Sequence, residues 1–213
     1  MKVSVLTEKT PVQITAEIER FCEEVAPGQK PVYVPVKPEK EAEVSRCHVN
    51  VEHHVKANGG TPVYGWIIWQ SPALLHAEFH CNWLCSNGEL LDITPKVDGE
   101  TQILFLPDQI VKWNGRVVPS RRKARRRSPA IDRFVATYEQ MDKIGAKYLS
   151  GQPYSLVDQE RYLKLMMESA KIALAFNNSW SINKGEKGRL ATDRKVKNKE
   201  ERQRRKQQRR RGK

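Results

Sequence analysis

The sequence predicts an α+β fold in which a helix is followed by a small antiparallel sheet, and then by C-terminal helices and a basic tail. Alternating apolar and polar residues in two short runs within residues 77–95 predict the centre of the sheet. Apolar residues at helical spacing before and after this region predict helices. Residues 184–213 contain 15 Lys or Arg and 4 Asp or Glu, so they account for most of the net charge of +13. The folded part is therefore expected to be nearly neutral.

Two helices are expected before the sheet. The first is predicted from Pro11 to Val25, and the prolines of residues 30–38 then favour an extended or edge segment. The second is predicted to start at Glu39 or Val44 and to end at Ala57, before a glycine pair. If Ser45 caps this helix, Cys47 lies in its first turn, where exposed N–H groups and the helix dipole stabilise a thiolate.

The hairpin within residues 77–95 contains the most informative pattern. Residues 86–88, Ser-Asn-Gly, fit a three-residue turn in which Gly88 takes a positive φ. This turn pairs Cys85 with Glu89, and Asp92 then lies next to His80 on one face of the sheet. A two-residue turn would shift the register by one and move Asp92 to the opposite face. A histidine held by a carboxylate is half of a general-base arrangement that lacks only a nucleophile.

Further strands are expected at residues 62–70 and 101–106, and further helices at 130–149 and 156–176. The predicted organisation is an N-terminal helix and extended segment at 1–38, an α+β core at 39–110, an exposed basic loop at 111–128, a helical pair at 129–180 and a disordered or solvated helical tail at 181–213.

The order Cys47, His80, Asp92 resembles that of the papain and transglutaminase-like cysteine hydrolases. In the transglutaminase-like core, a histidine strand commonly reading H-x-W leads through a glycine turn to a strand ending in D-x-T. Here His80-Cys81-Asn82-Trp83, Gly88 and Asp92-Ile93-Thr94-Pro95 look similar. The likeness covers residues 40–106.

This resemblance implies a hydrolase or acyl transferase that acts on an amide or thioester bond of a peptide or protein substrate, without a cofactor. Cys47 would be the nucleophile, His80 its base, and Asp92 the residue that orients the imidazole. Each of the three also fits a structural role. Cys47 would then pack as a small hydrophobe, His80 would pack between aromatic neighbours, and Asp92 would cap the turn that follows it.

The oxyanion donor is not given by the resemblance. Papain-like enzymes place a glutamine before the cysteine, where this chain has Glu41. The backbone N–H of Cys47 would serve instead, together with a further group. The oxyanion or pocket candidates are Trp66, Asn82 and Trp83.

Two basic runs favour a different function, namely binding of nucleic acid or the ribosome without enzymatic activity. Such runs neutralise phosphates without reading sequence, and their binding weakens steeply with salt. The residues assigned to this function are Arg121, Arg122, Lys123, Arg125, Arg126, Arg127, Arg204, Arg205, Lys206, Arg209, Arg210 and Arg211.

A structural zinc site is the third alternative, because the chain is rich in ligand types that zinc accepts, namely His76, His80, Cys81 and Cys85, with Cys47, His48, His53 and His54. His76 and His80 would however lie about 13 Å apart on a strand at roughly 3.3 Å per residue. Cys81 and Cys85 would be similarly separated. No metal is therefore predicted.

The sequence predicts a cytoplasmic protein with no membrane contact. It has no run of roughly 20 apolar residues, the length that spans a bilayer, and its N-terminus shows no export signal. The four cysteines, Cys22, Cys47, Cys81 and Cys85, lack the spacing of a disulfide framework. They are expected to be free thiols.

Overall fold

A six-stranded sheet is the centre of this computed structural model, which describes residues 7–115, 118–147 and 155–176. The predicted α+β class is confirmed, and the described residues contain four helices. The strands are β1 (Val32–Pro35), β2 (Thr61–Gln70), β3 (Leu74–Leu84), β4 (Leu90–Leu91), β5 (Gln102–Pro107) and β6 (Arg121–Ala124). The helices are α1 (Ala16–Val25), α2 (Cys47–Asn58), α3 (Pro129–Lys147) and α4 (156–176).

The sheet is antiparallel in the order β1-β5-β2-β3-β4, and β6 pairs with the first half of β3. Its two edges meet, because the backbone N–H of Asp92 donates to the carbonyl of Pro35 at 3.0 Å and the N–H of Lys37 donates to the carbonyl of Asp92 at 2.8 Å. The sheet is therefore nearly closed. This closure holds the backbone of Asp92 from both directions.

The β3–β4 hairpin has the register that the three-residue turn predicts. Trp83 lies opposite Leu91, the N–H of Cys85 donates to the carbonyl of Glu89 at 3.0 Å, and Gly88 has a φ of 87°. Glycine is favoured at this position because residues that carry a side chain rarely adopt that φ. The predicted turn is confirmed, and the two-residue alternative is excluded.

Helix α1 packs on one face of the sheet. Its buried side chains Ile18, Phe21 and Val25 join a core with Trp66, Ile68, Leu75, Ala77, Leu104 and Leu106. The helix starts at Ala16 rather than at Pro11, because the Thr15 side chain accepts a hydrogen bond from the N–H of Ile18 and caps it. The predicted start was therefore wrong, whereas the predicted end at Val25 is confirmed.

The basic run at residues 121–127 is not the exposed loop that was predicted. Residues 121–124 form β6, and the side chains of this run bind the protein itself. Nη1 of Arg122 lies 2.7 Å from Oδ2 of Asp142 on α3. Nη2 of Arg125 lies 2.7 Å from Oε2 of Glu17 on α1. Lys123 pairs with Glu24, and the guanidinium of Arg121 lies 5.4 Å from the Trp66 ring centre. The prediction failed because these acidic partners are far away in sequence.

The C-terminal helical pair is confirmed, with α3 and α4 close to the predicted ranges and in contact through Met141, Ile144 and Leu165. The described residues up to Ile172 belong to one compact unit, and a second unit begins at Ala173. Of the second unit only residues 173–176 are described, so the predicted tail at 181–213 lies outside the described residues. None of the described helices combines the length and the apolar character needed to cross a bilayer.

Candidate active site

The loop before α2 sets the position of Cys47. The helix begins at Cys47, its N-cap residue Arg46 makes no side-chain capping hydrogen bond, and Ser45 has a positive φ of 62°. A left-handed φ strains any residue other than glycine, and such strain clusters at functional sites. The predicted start at Glu39 or Val44 and the cap by Ser45 are therefore wrong. Cys47 nevertheless lies in the first turn.

Asn50 fixes this loop from within α2. Its Oδ1 accepts from the backbone N–H of Glu43 at 3.0 Å, while its Nδ2 donates to the Glu43 carbonyl at 2.8 Å and to Oγ1 of Thr94 at 3.0 Å. The backbone N–H of Thr94 donates in turn to Oδ1 of Asp92 at 2.9 Å. A single amide side chain therefore links the Cys47 loop to the segment that contains Asp92.

His80, Asp92 and Lys96 form a buried charged group. Nε2 of His80 lies 3.0 Å from Oδ2 of Asp92, as the predicted register requires. Nζ of Lys96 lies 2.6 Å from the same oxygen and 3.5 Å from Nε2 of His80. The Asp92 side chain is fully buried, and its carboxylate contacts two cationic groups. Because Nε2 faces Asp92, Nδ1 is the ring nitrogen left to interact with Cys47.

The surroundings of Cys47 favour its thiolate. Burial alone would raise the pKa of the Cys47 thiol, but the charge of His80, hydrogen bonds from His48 and His80, and the charge of His48 lower this pKa to about 6. Burial acts to lower the pKa of His80, and the opposing effects of Asp92 and Cys47 raise it to about 9. Both shifts therefore favour a thiolate on Cys47 beside an imidazolium on His80.

Asp92 remains ionised beside this pair. Its burial favours the neutral acid, but the charge and hydrogen bond of His80, followed by those of Lys96, hold the pKa of Asp92 below its ordinary value. Both neighbouring cationic groups therefore favour the carboxylate form of Asp92. This charge distribution is the one that a base-activated thiol requires.

A second histidine, His48, directly follows Cys47 on α2. Its ring stacks on Trp113 with ring centres 5.0 Å apart and 9° between the planes, and it lies 5.3 Å from the Phe79 ring. Its Nδ1 is buried without a hydrogen-bond partner among the described residues. Aromatic packing therefore fixes a second imidazole beside the thiol.

A cleft of about 440 Å³ opens onto Cys47 and His80. Thr94, Pro95 and Lys96 line it on the side of the Asp92 segment. The remaining lining residues are Val44, Ser45, His48, Ile67, Trp69, Glu78, Phe79, Val97, Asp98 and Glu100. A substrate in this cleft would lie against both the thiol and the imidazole.

The three candidate oxyanion or pocket residues do not line this cleft. The predictions for Trp66 and Trp83 are wrong, because Nε1 of Trp66 donates to Oδ2 of Asp108 and Nε1 of Trp83 donates to the carbonyl of Gly59, both at 2.9 Å. Asn82 is fully buried, and its amide atoms have no partner among the described residues. The backbone N–H of Cys47 remains available, since the first N–H groups of a helix have no acceptor within it.

The described residues give little support to the other two candidate sites. Arg121, Arg122, Lys123 and Arg125 contact other parts of the protein, and Arg126 also makes an interaction. Arg127 is exposed. Arg204, Arg205, Lys206, Arg209, Arg210 and Arg211 lie outside the described ranges. Within those ranges no three His, Cys, Asp or Glu side chains come together as a possible metal site.

Sequence reasoning missed Lys96 and Asn50, and it considered His48 only as a zinc ligand. The signal for His48 was present, because it directly follows Cys47 and shares its helix turn. Lys96 follows Asp92 by four residues, but Pro95 between them argues against a helix, so no local pattern indicates that their side chains pair. The role of Asn50 depends on Thr94, which is 44 residues away.

In comparisons with protein-family models, with curated proteins and with solved structures, no match to this chain was found.

Proposed function

We propose that this protein is a cysteine hydrolase or acyl transferase of the papain and transglutaminase-like class, acting on an amide or thioester bond of a peptide or protein substrate. The observation that supports it most strongly is the geometry: Cys47 starts a helix and shares a cleft with His80, and Nε2 of His80 lies 3.0 Å from the buried carboxylate of Asp92. The surroundings of Cys47 also lower the pKa of its thiol. A cysteine kept only for packing would have a raised pKa, as Cys22 and Cys81 do.

The reaction proceeds in two displacements. The Cys47 thiolate forms a bond from Sγ to the substrate carbonyl carbon, and the π electrons move onto the carbonyl oxygen. The tetrahedral intermediate then collapses. The bond to the leaving nitrogen or sulfur breaks, and the imidazolium of His80 gives its proton to that atom. The product is a thioester on Cys47 and neutral His80.

In the second displacement, neutral His80 removes a proton from the incoming water, amine or thiol, which attacks the thioester carbonyl. Water yields hydrolysis, and an amine or thiol yields transfer. The bond to Sγ breaks, and the thiolate and imidazolium are regenerated. The ionised Asp92 stabilises the positive imidazole in both displacements.

The helix start supplies part of the oxyanion site. The N–H of Cys47 lies in the first turn of α2, where the helix dipole is positive. This donor stabilises the negative oxygen of both tetrahedral intermediates. The strained loop at Ser45, held by Asn50, positions this N–H together with the thiol.

The proposal is tested by the pH dependence of alkylation of Cys47 by iodoacetamide. Cys22 and Cys81 are buried, with pKa values raised above the ordinary range, so only the partly exposed Cys85 needs to be replaced, as Cys85→Ser. In this protein we expect the alkylation rate to rise with an apparent pKa of about 6.

His80→Ala should raise this apparent pKa, because the effect of burial then loses its main opponent and only His48 still lowers the pKa. His53→Ala is the matched control, since His53 is exposed on the same helix and does not affect Cys47. An ordinary thiol pKa in the Cys85→Ser protein, or an unchanged one in His80→Ala, would contradict the proposal.

A further inference from the structure

We propose that the cleft selects a substrate with a positive charge next to the reacting acyl bond, such as a lysine or arginine side chain, and that Glu78 and Trp69 recognise this charge. This inference rests on the proposed function, because it takes Cys47 to be the reacting group.

Glu78 is held in a fixed orientation on the wall of the cleft. Nε1 of Trp69 donates to its Oε2 at 2.7 Å, and both side chains line the cleft. Glu78 is exposed and has no ion-pair partner among the described residues. A carboxylate that is positioned by an indole but not neutralised is suited to an ammonium or guanidinium group. The adjacent indole ring can also attract a cation.

The position of Glu78 relates the charge to the reacting bond. Glu78 and His80 are two residues apart on β3, so they point to the same face and are separated by roughly 7 Å. This is about the spacing of neighbouring positions on an extended peptide. A cationic side chain bound by Glu78 would therefore belong to a residue at or beside the bond that Cys47 attacks.

The rest of the cleft has the same sign of charge. Asp98 and Glu100 also line it, and the ammonium of Lys9 lies 3.4 Å and 3.5 Å from their carboxylates. The protein's own lysine thus shows that this wall accepts an ammonium group. Lys96, a cation that lines the cleft, is paired with the buried carboxylate of Asp92. The cleft is therefore acidic within a chain whose net charge is +13.

Charge-selective thiol reagents test this inference without a known substrate. The full-length Cys85→Ser protein is treated separately with 2-aminoethyl, methyl and 2-sulfonatoethyl methanethiosulfonate, which carry a positive, a zero and a negative charge. The second-order rate of Cys47 modification is measured for each by mass spectrometry. We expect the cationic reagent to react fastest and the anionic reagent slowest.

Glu78→Gln removes the charge and keeps an oxygen for the indole N–H. One charge at roughly 7 Å in water changes the local concentration of a monovalent ion by about threefold. The cation-to-anion rate ratio should therefore fall roughly fivefold to tenfold. Glu52→Gln is the control, because Glu52 is exposed on α2, pairs with Lys56 and does not line the cleft. This control should leave the ratio unchanged.

The outcomes separate the two proposals. Rapid modification by the neutral reagent with no preference for the cation, or a preference that survives in Glu78→Gln, overturns the substrate assignment alone. A Cys47 that resists all three reagents overturns the proposed function, and the substrate assignment with it.

Discussion

Replacing Lys96 by methionine tests the charged group at the base of the cleft. Lys96 and His80 both approach Oδ2 of Asp92, and the ammonium lies 3.5 Å from Nε2 of His80. Two positive charges at this distance repel each other, so Lys96 disfavours the imidazolium. Methionine has a similar length and no charge. We therefore expect Lys96→Met to raise the pKa of His80 above its value of about 9.

The size of this shift follows from the separation of the two nitrogens. Two unit charges at that distance repel by roughly 1 kcal/mol in water and by about 5 kcal/mol at an effective dielectric constant of about 20. One pKa unit corresponds to about 1.4 kcal/mol. The expected rise in the pKa of His80 is therefore on the order of one to three units. Asp92 stays ionised, because the imidazolium still faces it.

The assay is an NMR titration of the His80 ring between neutral and alkaline pH, in the Cys85→Ser protein and in the same protein carrying Lys96→Met. Lys96→Arg is the control, because it keeps the positive charge and should keep the pKa near its original value. A His80 pKa that is unchanged or lowered in Lys96→Met would refute the reasoning. The same shift in both variants would show that packing, and not charge, is responsible.

Three further predictions concern the scaffold. Gly65→Ala should destabilise the fold by about 3 kcal/mol in urea unfolding, because the new Cβ would lie only 2.2 Å from the carbonyl oxygen of Leu106; wild-type stability would contradict this packing. Asn50→Ala should lower the free energy of unfolding by about 1–2 kcal/mol in the same assay, and it should also slow alkylation of Cys47. A loss of stability without slower alkylation would limit Asn50 to a structural role. Arg125→Ala should lower the free energy of unfolding by roughly 0.5–1 kcal/mol in thermal unfolding, since Arg125 pairs with an acidic side chain on α1. Arg127→Ala at an exposed position should have no effect. Equal effects of the two substitutions would contradict a structural role for the Arg125 ion pair.

The hairpin and its His80–Asp92 contact could be predicted because all of the determining information is local. The turn residues fix the loop length, the loop length fixes the register, and the period of two in a strand fixes which side chains share a face. The start of α2 was harder to predict. Its loop is held by Asn50 and Thr94 across 44 residues, and no local capping pattern reports such a contact.

The basic run at residues 121–127 shows why composition alone misleads. A cluster of arginines usually indicates a solvated loop, and the sequence contains no sign that Glu17 and Asp142 neutralise it. The predictions that Trp66 and Trp83 serve as oxyanion or pocket residues were wrong for the same reason. Trp66 has the correct donor for an oxyanion site, but Asp108 already accepts its N–H. Residue type could be read from the sequence, whereas the partner of each polar atom depends on the tertiary fold.

The most direct test of the account is whether Cys47 forms an acyl-enzyme. The Cys85→Ser protein is incubated with p-nitrophenyl acetate at neutral pH, quenched in acid and mapped by mass spectrometry. We expect one acetyl group on Cys47 that neutral hydroxylamine removes, that is absent in Cys47→Ala and that forms much more slowly in His80→Ala. No acetyl group on Cys47, or acetylation at the same rate without His80, would contradict the nucleophile–base assignment.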